Sequence, residues 1–277
     1  KILDAFTQPF QVDGNELFVS ISIGITICPF DDQTMEALLQ NADIAMYKAK
    51  EQGRNGYQFY TAEMNTKTHK RLDLETALRR ALERNELVLH YQPQVDLRSG
   101  RIFAMESLLR WQRPGIGLVS PMDFIPLAEE TGLIVPIGEW VLRTACAQNQ
   151  AWQDAGFAPL RVAVNLSARQ FLQKSLIQTI SAALRDSGLQ AHYLDIEITE
   201  SMVMQNATAA VKTLNELDAM GITLSIDDFG TGYSSLSYLK RFPIGCLKID
   251  KSFVNDVTTN ADDAAIVSAI ITMAHSL

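Results

Sequence analysis

Oxygen-bearing side chains recur from Glu106 onward, at Asn165, Glu197, the adjacent pair Asp227-Asp228 and Asp250, with the amine of Lys248 beside the last. Carboxylates gathered in one place repel one another and need a cation to stay ionised. A donor set made only of oxygen suits a hard cation, Mg²⁺ or Mn²⁺, better than zinc. Of the 4 histidines none falls at a predicted strand end except His90, near the start of the first strand, so a histidine nucleophile or a zinc site is not expected. Two close divalent ions bridged by carboxylates activate a water for in-line attack on a phosphodiester. Lys248 would orient that water, neutralise the charge of the transition state, or form no more than an ion pair. The planar fork of Arg110 fits a phosphate oxygen, with a surface salt bridge as the plainer alternative.

The elements that carry these residues can be read from periodicity. Leu87–Val95 and Ile102–Trp111 read as a hairpin across Asp96–Gly100. Helices and strands then alternate. Helices Pro121–Glu130 and Pro136–Ala155 precede strand Leu160–Leu166, and helix Leu176–Ser187 precedes Tyr193–Thr199. Helix Asn206–Met220 precedes Thr223–Asp227, a short helix near Ser234–Arg241 precedes Cys246–Ile249, and Asp262–Ser276 is helical. Such repetition implies a parallel sheet, either a β/α barrel or a doubly wound sheet, with sites at the strand C-termini. Asn165, Glu197, Asp227-Asp228, Lys248 and Asp250 fall there. Period-2 alternation puts Glu106, Leu108 and Arg110 on one face. With a turn near Arg98–Ser99, Gln92 should pair with about Ala104 and lie close to Glu106. Asp227 and Asp228 can aim at one point only if the strand breaks, and Gly230 and Gly232 would supply the break.

Upstream, Lys1 to about Tyr60 reads as strand, strand, helix, strand. Phe18–Ile27 has the alternation of a half-buried strand, Thr34–Gln52 carries a helical apolar stripe that Gly53 stops, and Tyr57–Tyr60 is a short strand. Thr61–Leu87 reads as one long helix, either a stiff connector or the first helix of the next domain.

The 277 residues are 47% hydrophobic and 20% charged, enough for a sizeable core and unlike a disordered chain. The net charge of −8 argues against a general nucleic-acid coat. Three scattered cysteines, Cys28, Cys146 and Cys246, form no disulfide framework and point to a reducing compartment, the cytoplasm. No apolar run approaches the roughly 18 residues of a membrane span, so membrane contact is not expected within this segment.

The second block resembles an EAL-domain cyclic-di-GMP phosphodiesterase. The resemblance is carried by Tyr91-Gln92-Pro93, Glu106-Ser107-Leu108-Leu109-Arg110-Trp111, Asp123 to Glu129 (DFIPLAE), Asn165-Leu166-Ser167, Glu197-Ile198-Thr199-Glu200-Ser201, Asp227 to Leu236 (DDFGTGYSSL) and Lys248-Ile249-Asp250. It implies a modified eight-stranded barrel with an antiparallel first strand. The last two strands and a further site glutamate would lie beyond Leu277. On this expectation strands Leu87–Val95 and Cys246–Ile249 each lack a neighbour, and the chain alone is a weak or inactive catalyst. The resemblance implies Glu106, Asn165, Glu197, Asp227 and Asp228 as ligands of two ions, Mg²⁺ or Mn²⁺. It implies Lys248, Glu106, Asp228 and Glu200 as catalytic, with Glu200 steadying the loop after Asp227-Asp228, and Gln92, Leu108, Arg110 and Asp250 as substrate positions. One departure is Ser107, where the signature tripeptide has alanine.

The first block resembles the C-terminal part of a GGDEF diguanylate cyclase domain, through Ser22-Ile23-Gly24-Ile25, Ala42 to Lys50 (ADIAMYKAK) and Gly53-Arg54-Asn55. Lys50 and Arg54 match phosphate-contacting positions, but a solvated helix end describes them better here. The Gly-Gly-Asp-Glu-Phe signature is nowhere in the 277 residues, so cyclase activity is not expected of this chain. The expected organisation is a partial α+β GGDEF-like domain over 1–60, a helical linker over 61–71 and an EAL domain over 72–277. The implied reaction is hydrolysis of cyclic di-GMP to linear pGpG, with no DNA partner and a homodimer through the EAL domain. The alternative is a catalytically inactive cyclic-di-GMP receptor that relays its signal through the Thr61–Leu87 helix.

Overall fold

A computed structural model of the protein describes residues 1–12, 14–204, 206–232 and 236–277. It forms two compact units, Lys1–Ala77 and Leu78–Leu277.

The first unit begins with a short 3₁₀ turn, Leu3–Phe6. The hairpin β1 (Phe10–Val12) and β2 (Asn15–Leu17) follows. Strand β3 (Ser22–Ile25) then pairs in parallel with β4 (Gly56–Phe59), and α1 (Met35–Glu51) connects them. Thr34 caps α1 by accepting from the Ala37 amide. A side chain at Gly24 would run into the Ala42 carbonyl and the Met46 amide, so its absence lets α1 lie directly on β3. Only Ser22–Ile25 of the predicted strand Phe18–Ile27 is paired, because alternation shows which residues can be half-buried and not how far a partner reaches.

The helix α2 (Ala62–Ala81) spans the division between the units and ends well before Leu87. Asn85 takes a left-handed conformation (φ 55°), and the Glu86 carbonyl, just before the strand Leu87–Val95, accepts from Gln112 N. The Glu86 carboxylate accepts from the indole of buried Trp111 at 3.0 Å.

The second unit is built on one sheet. Its strands are β5 (Leu87–Val95), β6 (Ile102–Arg113), β7 (Gly117–Val119), β8 (Arg161–Asn165), β9 (Leu194–Thr199), β10 (Thr223–Phe229) and β11 (Cys246–Ile249). The order is β11-β10-β9-β8-β6-β5, with β7 beside β6. β5 is antiparallel to β6, whereas β6, β8, β9, β10 and β11 pair in parallel. Among the described residues β5 and β11 are the two edges of this path. Helices α3 (Pro121–Thr131), α4 (Ile134–Asp154), α6 (Leu176–Ser187), α8 (Ala207–Ala219) and α11 (Ala261–Ser276) alternate with the strands. Ile180, Ile196, Ile198, Leu214 and Ile226 are fully buried in the core.

The short elements α5 (Ala168–Phe171), α7 (Glu200–Met204), α9 (Leu236–Leu239) and α10 (Lys251–Asn255) sit directly after strands or just before them. Apart from α9, none was foreseen, since one turn of helix is too short to show a period. The predicted helix near Ser234–Arg241 is represented by α9, and Ser234 and Ser235 lie outside the described residues.

Two expectations about the sheet need correction. Gln92 stands opposite Glu106, and it is Gln94 that stands opposite Ala104. Val95 pairs with Ile102, so Phe103 is the extra residue of a bulge that shifts the register by one. β10 also runs through Phe229, and its irregularity lies between Ile226 and Phe229. Asp228 itself makes the break, with φ 52°, rather than Gly230 and Gly232.

Candidate active site

The parallel strands deliver one carboxylate each from β6, β9 and β10. Oxygens of Glu106, Glu197 and Asp227 lie within 4.8 Å of one another. Lys248 on β11 puts its ammonium among them, with Nζ 3.1 Å from Glu106 Oε2, 2.8 Å from Glu197 Oε2 and 3.2 Å from Asp227 Oδ2. The sheet explains the convergence: Asn165 is the register partner of Glu197, and side chains two residues apart on a strand share a face.

Asn165 Nδ2 donates to Glu106 Oε1 at 2.9 Å, fixing that carboxylate from the β8 side. Gln94 Nε2 reaches Glu197 Oε1 at 3.4 Å from the antiparallel strand. Gln94 was missed by sequence reasoning, although it shares a face with Gln92 by the period of two. Asp228 lies outside the carboxylate triplet. Its side chain is exposed and feels the neighbouring carboxylate of Asp250, and its amide donates to Asp227 Oδ1 at 3.0 Å. Asp250 caps α10, accepting from Ser252 N at 2.7 Å. Glu200, 1% exposed, accepts from the Gly230 amide at 2.9 Å, and a Cβ at Gly232 would come within 3.0 Å of its carboxylate.

Among the described residues no hydrogen bond joins Gln92 or Arg110 to the carboxylates. Arg110 Nη1 turns back to the Leu109 carbonyl at 2.9 Å, and Leu108 is half-buried on the same strand. In the first unit Lys50 and Arg54 lie exposed at the end of α1, where Arg54 is left-handed (φ 58°).

Burial raises the Glu197 carboxyl to about 7, although Lys248 pulls the other way. Burial also opposes the Lys248 ammonium, but Glu197, Asp227 and Glu106 together hold it above its ordinary range. Burial and the neighbouring Asp227 raise Asp228, while Asp250 is lowered chiefly by its hydrogen bonds to Ser252. Three carboxylates against one ammonium leave an excess of negative charge in a partly buried place. All donors there are oxygens, so the residues fit a hard divalent cation.

Comparison with known proteins agrees with this arrangement. Residues 75–277 match the EAL domain and residues 1–56 the diguanylate cyclase GGDEF domain. The chain is 50% identical over its whole length to the bifunctional diguanylate cyclase/cyclic di-GMP phosphodiesterase MucR of Pseudomonas aeruginosa, covering 40% of that protein. It is 41% identical over its whole length to the cyclic di-GMP phosphodiesterase PdeR of Escherichia coli, covering 42% of it. Among solved structures, the PaMucR phosphodiesterase in complex with c-di-GMP superposes with a TM-score of 0.72 at 51% identity, over 74% of this chain and 83% of that one. The Xanthomonas citri FimX EAL domain in complex with c-diGMP gives 0.68 at 27% identity, over 76% and 82%. These neighbours share a barrel-like α/β fold, and the family's phosphodiesterases are metal-dependent. No helix of the described residues is long and apolar enough to cross a membrane. The chain thus belongs to the EAL-domain family through residues 75–277, behind a stretch that matches the GGDEF domain.

Proposed function

We propose that the site on β6, β9, β10 and β11 hydrolyses cyclic di-GMP to linear pGpG. The observation that carries this is the convergence of Glu106, Glu197 and Asp227 on the Lys248 ammonium. The relatives named as cyclic di-GMP phosphodiesterases and the neighbour bound to c-di-GMP support the substrate.

Glu106, Glu197 and Asp227, with Asn165 and Asp228 beside them, would hold the cation, which we assign as two Mg²⁺ or Mn²⁺ ions. When bound, such ions supply Lewis-acid activation of water and neutralisation of phosphate charge. The chain's own residues do the rest. Lys248 keeps a fixed positive charge beside the reacting phosphate and donates to oxygen there. Asn165 and Gln94 set the orientation of Glu106 and Glu197. Glu200 ties down the backbone after Asp228. Gln92, Leu108, Arg110 and Asp250 are assigned to the nucleotide, with Arg110 turning from Leu109 to a phosphate oxygen.

We propose the division 1–60 as the GGDEF-like part, 61–71 as a helical linker and 72–277 as the EAL domain. The same reading gives a cytoplasmic setting, cyclic di-GMP rather than DNA as partner, and pairing of two copies through the EAL domain. The test is substrate binding and turnover by the full-length protein carrying Glu106→Ala. Binding with turnover lost supports the assignment. Turnover retained would overturn it.

A further inference from the structure

One layer beneath the carboxylates, towards the start of the strands, lies a second polar pair. The Ser225 hydroxyl on β10 donates to both carboxylate oxygens of Asp195 on β9, at 2.8 and 2.9 Å. Both residues are almost fully buried, Asp195 at 5% exposure and Ser225 at 1%. A carboxylate is costly to bury, and an apolar pair of similar volume would pack a strand interface at lower cost.

The position of this pair suggests its purpose. Asp195 lies two residues before Glu197 and Ser225 two before Asp227, so each shares a strand face with a site carboxylate. In the sheet Ser225 is the register partner of Glu197, while Asp195 is opposite Thr223. The Ser225 hydroxyl nevertheless reaches back to Asp195. Its single proton is thereby held away from Glu197, whose oxygens remain with Lys248 and Gln94.

We propose that Asp195 and Ser225 are positioning residues that set the spacing of Glu197 and Asp227 for a divalent cation. Their bond pins β9 to β10 one step below the site and keeps Ser225 from competing for Glu197. The inference rests on the metal-site reading above. Groups that orient metal ligands from behind commonly change cation affinity by about 10- to 100-fold.

The test measures Mn²⁺ binding to the full-length protein by calorimetry, without substrate, beside urea unfolding in EDTA. Ser225→Ala is expected to weaken Mn²⁺ binding about tenfold. Asp195→Asn keeps an acceptor for the hydroxyl and should stay near wild type. Ile180→Val, a buried substitution far from the pair in sequence, serves as the control for general destabilisation and should leave Mn²⁺ affinity unchanged. Wild-type affinity in Ser225→Ala, or an equal loss in Ile180→Val, would reduce the pair to a packing role and overturn the inference. If the wild-type protein takes up no Mn²⁺, the metal-site reading falls first and this inference with it.

Discussion

Lys248 Nζ stands 2.8 Å from Glu197 Oε2, the most deeply buried carboxylate of the site at 1% exposure, and touches Glu106 and Asp227 as well. Lys248→Met keeps the stem and removes the charge, leaving three carboxylates facing one another. Removing one partner of a buried ion pair costs about 3–5 kcal/mol. The metal-free protein is therefore expected to lose stability on that scale, with Mn²⁺ restoring part of it. Urea unfolding with EDTA and with Mn²⁺ measures both. Equal stability of the variant and the wild type in EDTA would contradict the ion cluster.

The pH dependence follows from Glu197. Burial raises its carboxyl to about 7 in the folded protein, while an unfolded chain ionises near about 4.3. Between those values the folded state holds a proton that the unfolded state has lost. The metal-free protein should therefore lose stability as the pH rises across that interval. Cation binding displaces the same proton, so Mn²⁺ affinity should climb with pH and level off above about 7. Calorimetry in buffers of different ionisation enthalpy counts the proton released. A pH-independent affinity with no proton release would count against the buried, cation-exchanging carboxyl.

Cation identity should matter more for turnover than for binding. Ca²⁺ accepts oxygen ligands at longer and looser distances than Mg²⁺. It is expected to bind to the site and to support little hydrolysis. Full turnover in Ca²⁺, or in chelator, would show that the carboxylates serve another purpose.

Glu200 offers a test of the loop. Its Oε2 accepts from the Gly230 amide, so Glu200→Ala should lower turnover by loosening the backbone that follows Asp227-Asp228. Glu200→Gln retains an acceptor and should keep most of the activity. Steady-state kinetics of the two variants decide this, and equal losses would mean that the charge matters rather than the tether.

The strand ends that carry Asn165, Glu197, Asp227 and Lys248 were legible because alternating helices and strands place polar residues at one end of a parallel sheet, and Glu106 was legible within the second strand of the hairpin. The meeting of Glu106, Glu197 and Asp227 required only that order and the period of two. Other features depended on single backbone events that leave little trace in residue type. The bulge at Phe103 shifted Gln92 opposite Glu106 and left Gln94 to reach Glu197. The left-handed turn at Asp228 left that side chain outside the triplet. Asp195 and Ser225 alternate within ordinary strand patterns, and only the pairing of β9 with β10 reveals their bond.

The most direct measurement of the central claim is chromatography of cyclic di-GMP after incubation with the full-length protein, wild type and Lys248→Ala, in Mn²⁺ and in EDTA. The account predicts linear pGpG from the wild type in Mn²⁺ alone. It predicts that Lys248→Ala binds the substrate and converts little of it. Cyclic di-GMP bound by the wild type and recovered intact in Mn²⁺ would contradict it, and would identify the site as a receptor for the nucleotide.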